Sequence, residues 1–151
     1  MALKPLTVVA KDAHIELFEK EYVGSHNALI SKLNDVAYKL YSIPMENHYI
    51  RDTIIIEVSK ALMETKKYFR TLESNSPRNE ETEGRLVMLW GMVAAPIGFI
   101  DKDLAILCAL DQENWLHPDG WSADEIIEFG AKLDSVSRKF MRLSFPVSVW
   151  H

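Results

Sequence analysis

The clearest structural signature of the chain is the stretch E-N-W-L-H-P-D-G-W-S-A-D-E-I-I-E-F-G, which spans residues 113–130. Trp115 and Trp121 bracket a short polar turn, and each indole is a large apolar group whose N–H still needs a partner. Pro118 cannot continue a helix, and Gly120 permits the left-handed backbone of a tight corner. The stretch therefore predicts two helices joined by a packed corner.

The helix after this corner has both a start signal and a helical apolar period. Ser122 and Glu125 have the spacing of a capping box, in which each side chain accepts a hydrogen bond from the other residue's backbone N–H. Beyond them, apolar or small residues recur at three- and four-residue intervals along one side of the helix: Ile126, Phe129, Gly130, Leu133, Val136, Phe140 and Leu143. A long amphipathic helix from Ser122 is expected.

Helical periodicity also dominates the earlier part of the chain. A long pattern runs from Asn47 to about Leu72, and its β-branched Ile54–Ile56 run keeps helical spacing on both flanks. Ser76 has a capping side chain and Pro77 suits the first position of the next helix. Helices are thus predicted to begin at Asp12, Ser25, Asn47, Ser76 and, for a short one, at Asp101 or Asp103.

The composition is that of a globular protein, with 48% apolar and 26% charged residues. A chain of 151 residues suffices for one core, so a single domain over residues 1–151 is expected. The formal net charge of −5 argues against a nucleic-acid partner. Together with the helical periods, these features predict an all-α bundle in which one nearly uncharged helix is surrounded by amphipathic ones.

The sequence predicts a soluble, cytoplasmic protein. The N-terminus lacks the apolar core of a signal peptide. The longest uncharged run, Leu86–Ile100, is shorter than the ~20 apolar residues of a membrane-spanning helix. No C-terminal membrane anchor is found, so stable membrane insertion is not expected. Cys108, the only cysteine, lies in an apolar helical stretch, where a buried side chain is favoured over a reactive thiol.

Candidate catalytic and metal-binding groups are few. The five histidines do not have the spacing that places two metal ligands on one helical face. Paired carboxylates on facing helices bind Mg²⁺ in all-α nucleotide pyrophosphohydrolases, and the acids that would serve here are Glu80, Glu81, Glu83, Asp101 and Asp103. Charge–dipole effects at helix starts explain the same acids, and they favour a structural role. A magnesium-dependent hydrolase is kept as the alternative function.

Arg85 stands out because it precedes the most apolar helix, in the stretch E-G-R-L-V-M-L-W-G-M-V. Its charged head can remain in water above an apolar stem, as it does for many surface arginines. Alternatively, the guanidinium can hold a carboxylate of a ligand at the rim of a groove.

The chain resembles the B-cell-lymphoma family of apoptosis regulators (the Bcl-2 family), in particular its divergent viral members. The family's second homology motif, W-I-x-x-x-G-G-W-x-x-F-x-x-x-Y-G, is matched by Trp115-Leu116, Asp119-Gly120-Trp121 and, after one extra residue, Phe129-Gly130. The first motif, N-W-G-R-[IV]-V, is matched only by residues 84–87, with Thr82-Glu83 in place of Asn-Trp. Residues 30–35 resemble the family's L-x-x-x-G-D motif.

The resemblance implies a pro-survival protein without enzymatic activity, cofactor or metal, acting in the cytosol of a host cell. It would bind the amphipathic death-motif helix of pro-apoptotic relatives in a hydrophobic groove. Arg85 would pair with an aspartate of that helix, and Phe129 would close one end of the groove. The other groove residues would be Ala37, Tyr41, Val58, Leu62, Gly84, Val87, Met88 and Met92.

Self-association is also compatible with the sequence. The resemblance to the Bcl-2 family is consistent with a homodimer. An unrelated helical interaction protein could likewise dimerise through the apolar tail residues Val147, Val149 and Trp150.

Overall fold

The computed structural model describes residues 25–42, 48–109 and 120–144, and these parts of the chain are helical with short connections. They contain no strand, which confirms the all-α fold class. The predicted helix after Asp12, Trp115 with Pro118, and the tail lie outside the described residues. The five helices are α1 (Ser25–Tyr41), α2 (His48–Glu73), α3 (Glu80–Ile97), α4 (Lys102–Ala109) and α5 (Ala123–Ser144).

The five helices form a closed ring around one core. Helix α5 packs against α1 and α2, α2 also packs against α3, and α4 joins α3 to α1. Two long-range hydrogen bonds establish the relative direction of α1 and α5. Asn27 and Asn34 accept from Lys132 and Lys139, so α1 and α5 run parallel. Largest among the fully buried side chains are Trp90, Phe69, Phe129 and Phe140.

The corner before α5 has the predicted local chemistry in its described half. Gly120 has a φ of 81°, the left-handed conformation expected for it. The Ser122 N–H donates to Glu125 Oε1 at 2.9 Å and the Glu125 N–H donates to Ser122 Oγ at 3.1 Å, which confirms the capping box. Hydrogen bonding of the Glu125 carboxylate, first to the backbone N–H of Ser122 and then to its side chain, lowers the pKa of Glu125. Trp121 packs against the rings of Phe129 and His26, so the corner closes onto the core.

Helix α3 begins later than the sequence predicted. Asn79, not Ser76, is the N-cap: its side chain accepts from the Thr82 N–H at 2.9 Å. Pro77 lies in the preceding loop. Both Ser76 and Asn79 can cap a helix, and contacts with α2 select the second, since the Asn79 N–H donates to the Tyr68 hydroxyl at 3.1 Å.

The other helix bounds agree with the sequence patterns. Helix α3 ends at Ile97, and Asp101 caps α4 by accepting from the Leu104 N–H at 3.0 Å. The β-branched run 54–56 lies inside α2. No helix among the described residues combines the length and the apolar character that crossing a membrane would require.

Candidate functional site: the outer face of α3

Helix α3 has two faces of different chemistry. Its inner face is buried and carries Glu83, Leu86, Trp90, Val93 and Ile97. Beyond its first turn, its outer face is exposed and consists of Gly84, Arg85, Met88, Gly91, Met92 and Ala95. The sequence predicted that other helices surround this helix, but Met88 is 69% and Met92 56% exposed. The outer face is therefore an apolar surface at the edge of the bundle.

Beyond the acidic first turn of α3, Arg85 is the one charged residue of the outer face, and it is exposed. Among the described residues it has no ion pair and no hydrogen bond, whereas Lys66, Arg78 and Arg138 each pair with an acid. Met88 lies three residues after Arg85, so the two side chains are neighbours on the helix surface. The guanidinium is thus free to meet an acid from outside the described residues, beside an apolar patch.

Two glycines leave space on the outer face. A Cβ built on Gly84 or on Gly91 meets no atom within 4 Å. They are seven residues apart, which is two helical turns, and so they lie on the same side of α3. A glycine within a helix costs stability relative to alanine, by roughly 0.5–1 kcal/mol. Neither glycine is needed to make room within the described residues, and both would let a partner backbone approach α3 closely.

The inner face of α3 is held to α2 by buried polar contacts. Glu83 receives two hydrogen bonds from Arg78, at 2.9 and 2.6 Å, and one from the Tyr68 hydroxyl. The Trp90 indole N–H donates to Thr65 Oγ1 at 2.9 Å. Burial, followed by the hydrogen bond to Glu83, raises the pKa of Tyr68 to about 12. These contacts fix the rotation of α3 and thereby determine which side chains point outward.

The groove residues inferred from the resemblance fall into three groups. Gly84, Arg85, Met88 and Met92 share the outer face, and Val87 is half-buried beside it. Tyr41 is exposed at the end of α1, a helix that packs against α4 and α5. Four others are buried in the core, where a docked partner would not touch them in this conformation: Ala37, Val58, Leu62 and Phe129.

The acids of the magnesium alternative do not come together. Glu83 is buried against Arg78 and Tyr68. Asp101 caps α4, and its Oδ2 atom lies 3.8 Å from Lys32 Nζ. Helix α3 separates the two groups, and its 18 residues span roughly 27 Å. Among the described residues, no group of three His, Cys, Asp or Glu side chains could hold a metal ion. The geometry therefore gives this alternative no support.

Sequence reasoning missed Gly91 and Phe99 as parts of this surface. Phe99 follows the end of α3 and is exposed, so it extends the apolar surface beyond Met92 and Ala95. The signal was present, because Gly84 and Gly91 repeat at the same interval as Arg85 and Met92.

No protein-family model matches the chain, and neither a curated protein nor a solved structure matches it. The function is therefore inferred from the outer face of α3 together with the motif resemblance.

Proposed function

We propose that the protein is an apoptosis inhibitor of the viral pro-survival type, which binds the amphipathic death-motif helix of pro-apoptotic Bcl-2 proteins. The observation that carries the proposal is Arg85, an exposed cation without an acidic partner among the described residues, beside two exposed methionines. An amphipathic helix with an aspartate next to its apolar side complements this surface in both charge and polarity. Under this proposal the protein acts in the host cytosol and has no catalytic role.

The outer face offers the partner helix two kinds of contact. Met88 and Met92 are one turn apart and can repack around different apolar side chains, since methionine is flexible and polarisable. Arg85 forms a charge-assisted hydrogen bond with the aspartate, a contact that contributes about 1.5–3 kcal/mol. Gly84 and Gly91 allow the two helix backbones to approach closely.

The buried groove residues have an indirect role in this proposal. Ala37, Val58, Leu62 and Phe129 belong to the core that holds α1, α2 and α5 in place. The partner contacts the outer face of α3 without displacing them. If the partner helix instead inserted between helices, these four side chains would become part of its binding site, and the bundle would have to open.

Calorimetric titration with a panel of death-motif peptides tests the proposal. At least one peptide should bind, and Arg85→Ala should weaken that binding by at least ~1.5 kcal/mol, the scale of a charged hydrogen bond. Arg142→Ala is the matched control, because Arg142 is also exposed on a helix and has no ion pair among the described residues. The absence of binding across a broad panel would reject the proposed function while leaving the fold intact.

A further inference from the structure

Every methionine among the described residues lies at the surface. Met88 is 69% exposed, Met92 56%, Met63 51% and Met141 50%, and the core contains none of them. Methionine is an apolar residue that proteins commonly bury. The two most exposed ones lie on the outer face of α3, whereas Met63 is on α2 and Met141 on α5.

Among the described residues, the exposed thioethers are the sulfur groups that an oxidant reaches most easily. Peroxides convert methionine to its sulfoxide, and susceptibility follows exposure. Cys108 does not compete, because its side chain is fully buried and burial raises the pKa of the thiol to about 12. A thiol with such a pKa contains almost no thiolate at neutral pH, and the thiolate is the reactive form.

We propose that Met88 and Met92 form an oxidation site through which hydrogen peroxide switches off partner binding at the outer face of α3. This inference rests on the proposed function, whose binding surface it shares. The methionine sulfur attacks one peroxide oxygen, the O–O bond breaks and an S–O bond forms. The displaced hydroxide takes the proton from the oxygen now bound to sulfur and leaves as water, so the sulfoxide forms, the sulfur loses two electrons and the peroxide gains them.

Oxidation changes the outer face in two ways. Each sulfoxide places a polar oxygen where an apolar side chain of the partner would dock, and burying that oxygen without a donor is unfavourable. In addition, Arg85 is three residues from Met88 and can donate a hydrogen bond to the new sulfoxide oxygen. The guanidinium is then drawn away from the aspartate of the partner helix.

The test uses the full chain, hydrogen peroxide and a death-motif peptide that binds the untreated protein. Peptide mapping by mass spectrometry measures the oxygen added at each methionine, and calorimetry measures peptide binding before and after treatment. The double variant Met88→Leu/Met92→Leu removes the proposed site, because leucine has similar volume and is not oxidised. Met63→Leu/Met141→Leu is the matched control at two other exposed methionines.

We expect treated wild-type protein and the control variant to bind at least about tenfold more weakly than before treatment. After treatment, the Met88→Leu/Met92→Leu variant should bind the peptide within about twofold of its own affinity before treatment. Methionine sulfoxide reductases should restore binding to the oxidised wild type. Equal loss in both double variants, or unchanged affinity of fully oxidised wild-type protein, overturns the proposed switch.

A second measurement does not depend on the leucine variants. Bound peptide should slow the oxidation of Met88 and Met92 in the wild type and leave the rates at Met63 and Met141 unchanged. Uniform rates with and without peptide would contradict the proposal. Failure of the proposed function itself is recognised separately, since the untreated protein then binds no peptide at all.

Discussion

Helices α3 and α5 bury one face each, but their outer faces differ. Beyond its first turn, the outer face of α5 is still mainly polar and charged, including Glu128, Arg138, Lys139 and Arg142. Beyond the first turn of α3, the outer face has one charge, Arg85, amid methionine, glycine and alanine. The core explains the inner faces of both helices. It does not explain why α3 presents apolar groups to solvent, whereas the proposed partner helix would.

The largest expected effect is at the inner face of α3. Trp90→Ala should lower the free energy of unfolding by about 3–5 kcal/mol, because it leaves a cavity in the core and removes the hydrogen bond to Thr65. Met88→Ala, on the opposite face, should change stability by no more than about 0.5 kcal/mol. Urea unfolding monitored by circular dichroism measures both, and similar losses for the two variants would remove the distinction between the faces.

A smaller effect is expected at the polar contacts that orient α3. Glu83→Gln should lower the free energy of unfolding by about 1–3 kcal/mol, since Arg78 and Tyr68 lose a charged partner. Glu81→Gln is the control, because Glu81 is exposed in the same helical turn and its side chain forms no hydrogen bond or ion pair among the described residues. Peptide binding should weaken in Glu83→Gln as well, because α3 can then rotate.

Alkaline pH tests the same contacts. Tyr68 has a pKa of about 12 in the folded chain against 10.0 ordinarily, so its contribution to stability is complete below pH 10 and is lost as the pH rises toward 12. Tyr68→Phe should therefore show a flatter decline of stability above pH 10 than the wild type. Parallel declines in urea unfolding at a series of alkaline pH values would show that Tyr68 is not responsible.

The sharpest contrast between stability and binding is expected at Gly91. Gly91→Ala should raise the free energy of unfolding by roughly 0.5–1 kcal/mol, because the added methyl group meets no described atom and alanine favours the helix. The same methyl group should weaken peptide binding by holding the partner backbone away from α3. Thermal unfolding and calorimetry on one sample would show whether stability and affinity change in opposite directions.

Local rules predicted much of the fold. The Ser122–Glu125 capping box, the conformation of Gly120 and the cap at Asp101 depend on residues close in sequence. The predicted start of α3 was wrong because Tyr68, from a different helix, selects Asn79 over Ser76 as the cap. Propensity within a short window carries no information on such a contact.

The candidate site was only partly predictable for a related reason. Arg85, Met88 and Met92 were inferred and are exposed, whereas Val58 and Phe129 were inferred and are buried. Core residues and groove residues recur with the same helical period, so the period alone does not separate them. Whether a residue is buried in the core or exposed at a groove depends on the position of its helix face relative to neighbouring helices, which is a property of tertiary packing.

The most direct test of helix binding at the outer face of α3 is a charge exchange between Arg85 and the aspartate of a bound death-motif peptide. Calorimetry on wild type and Arg85→Glu, each with the aspartate peptide and with its aspartate→lysine form, completes a double-mutant cycle. We expect each single change to weaken binding and the two changes together to restore much of it. Strictly additive losses would contradict this expectation, because they would mean that Arg85 and the aspartate do not meet.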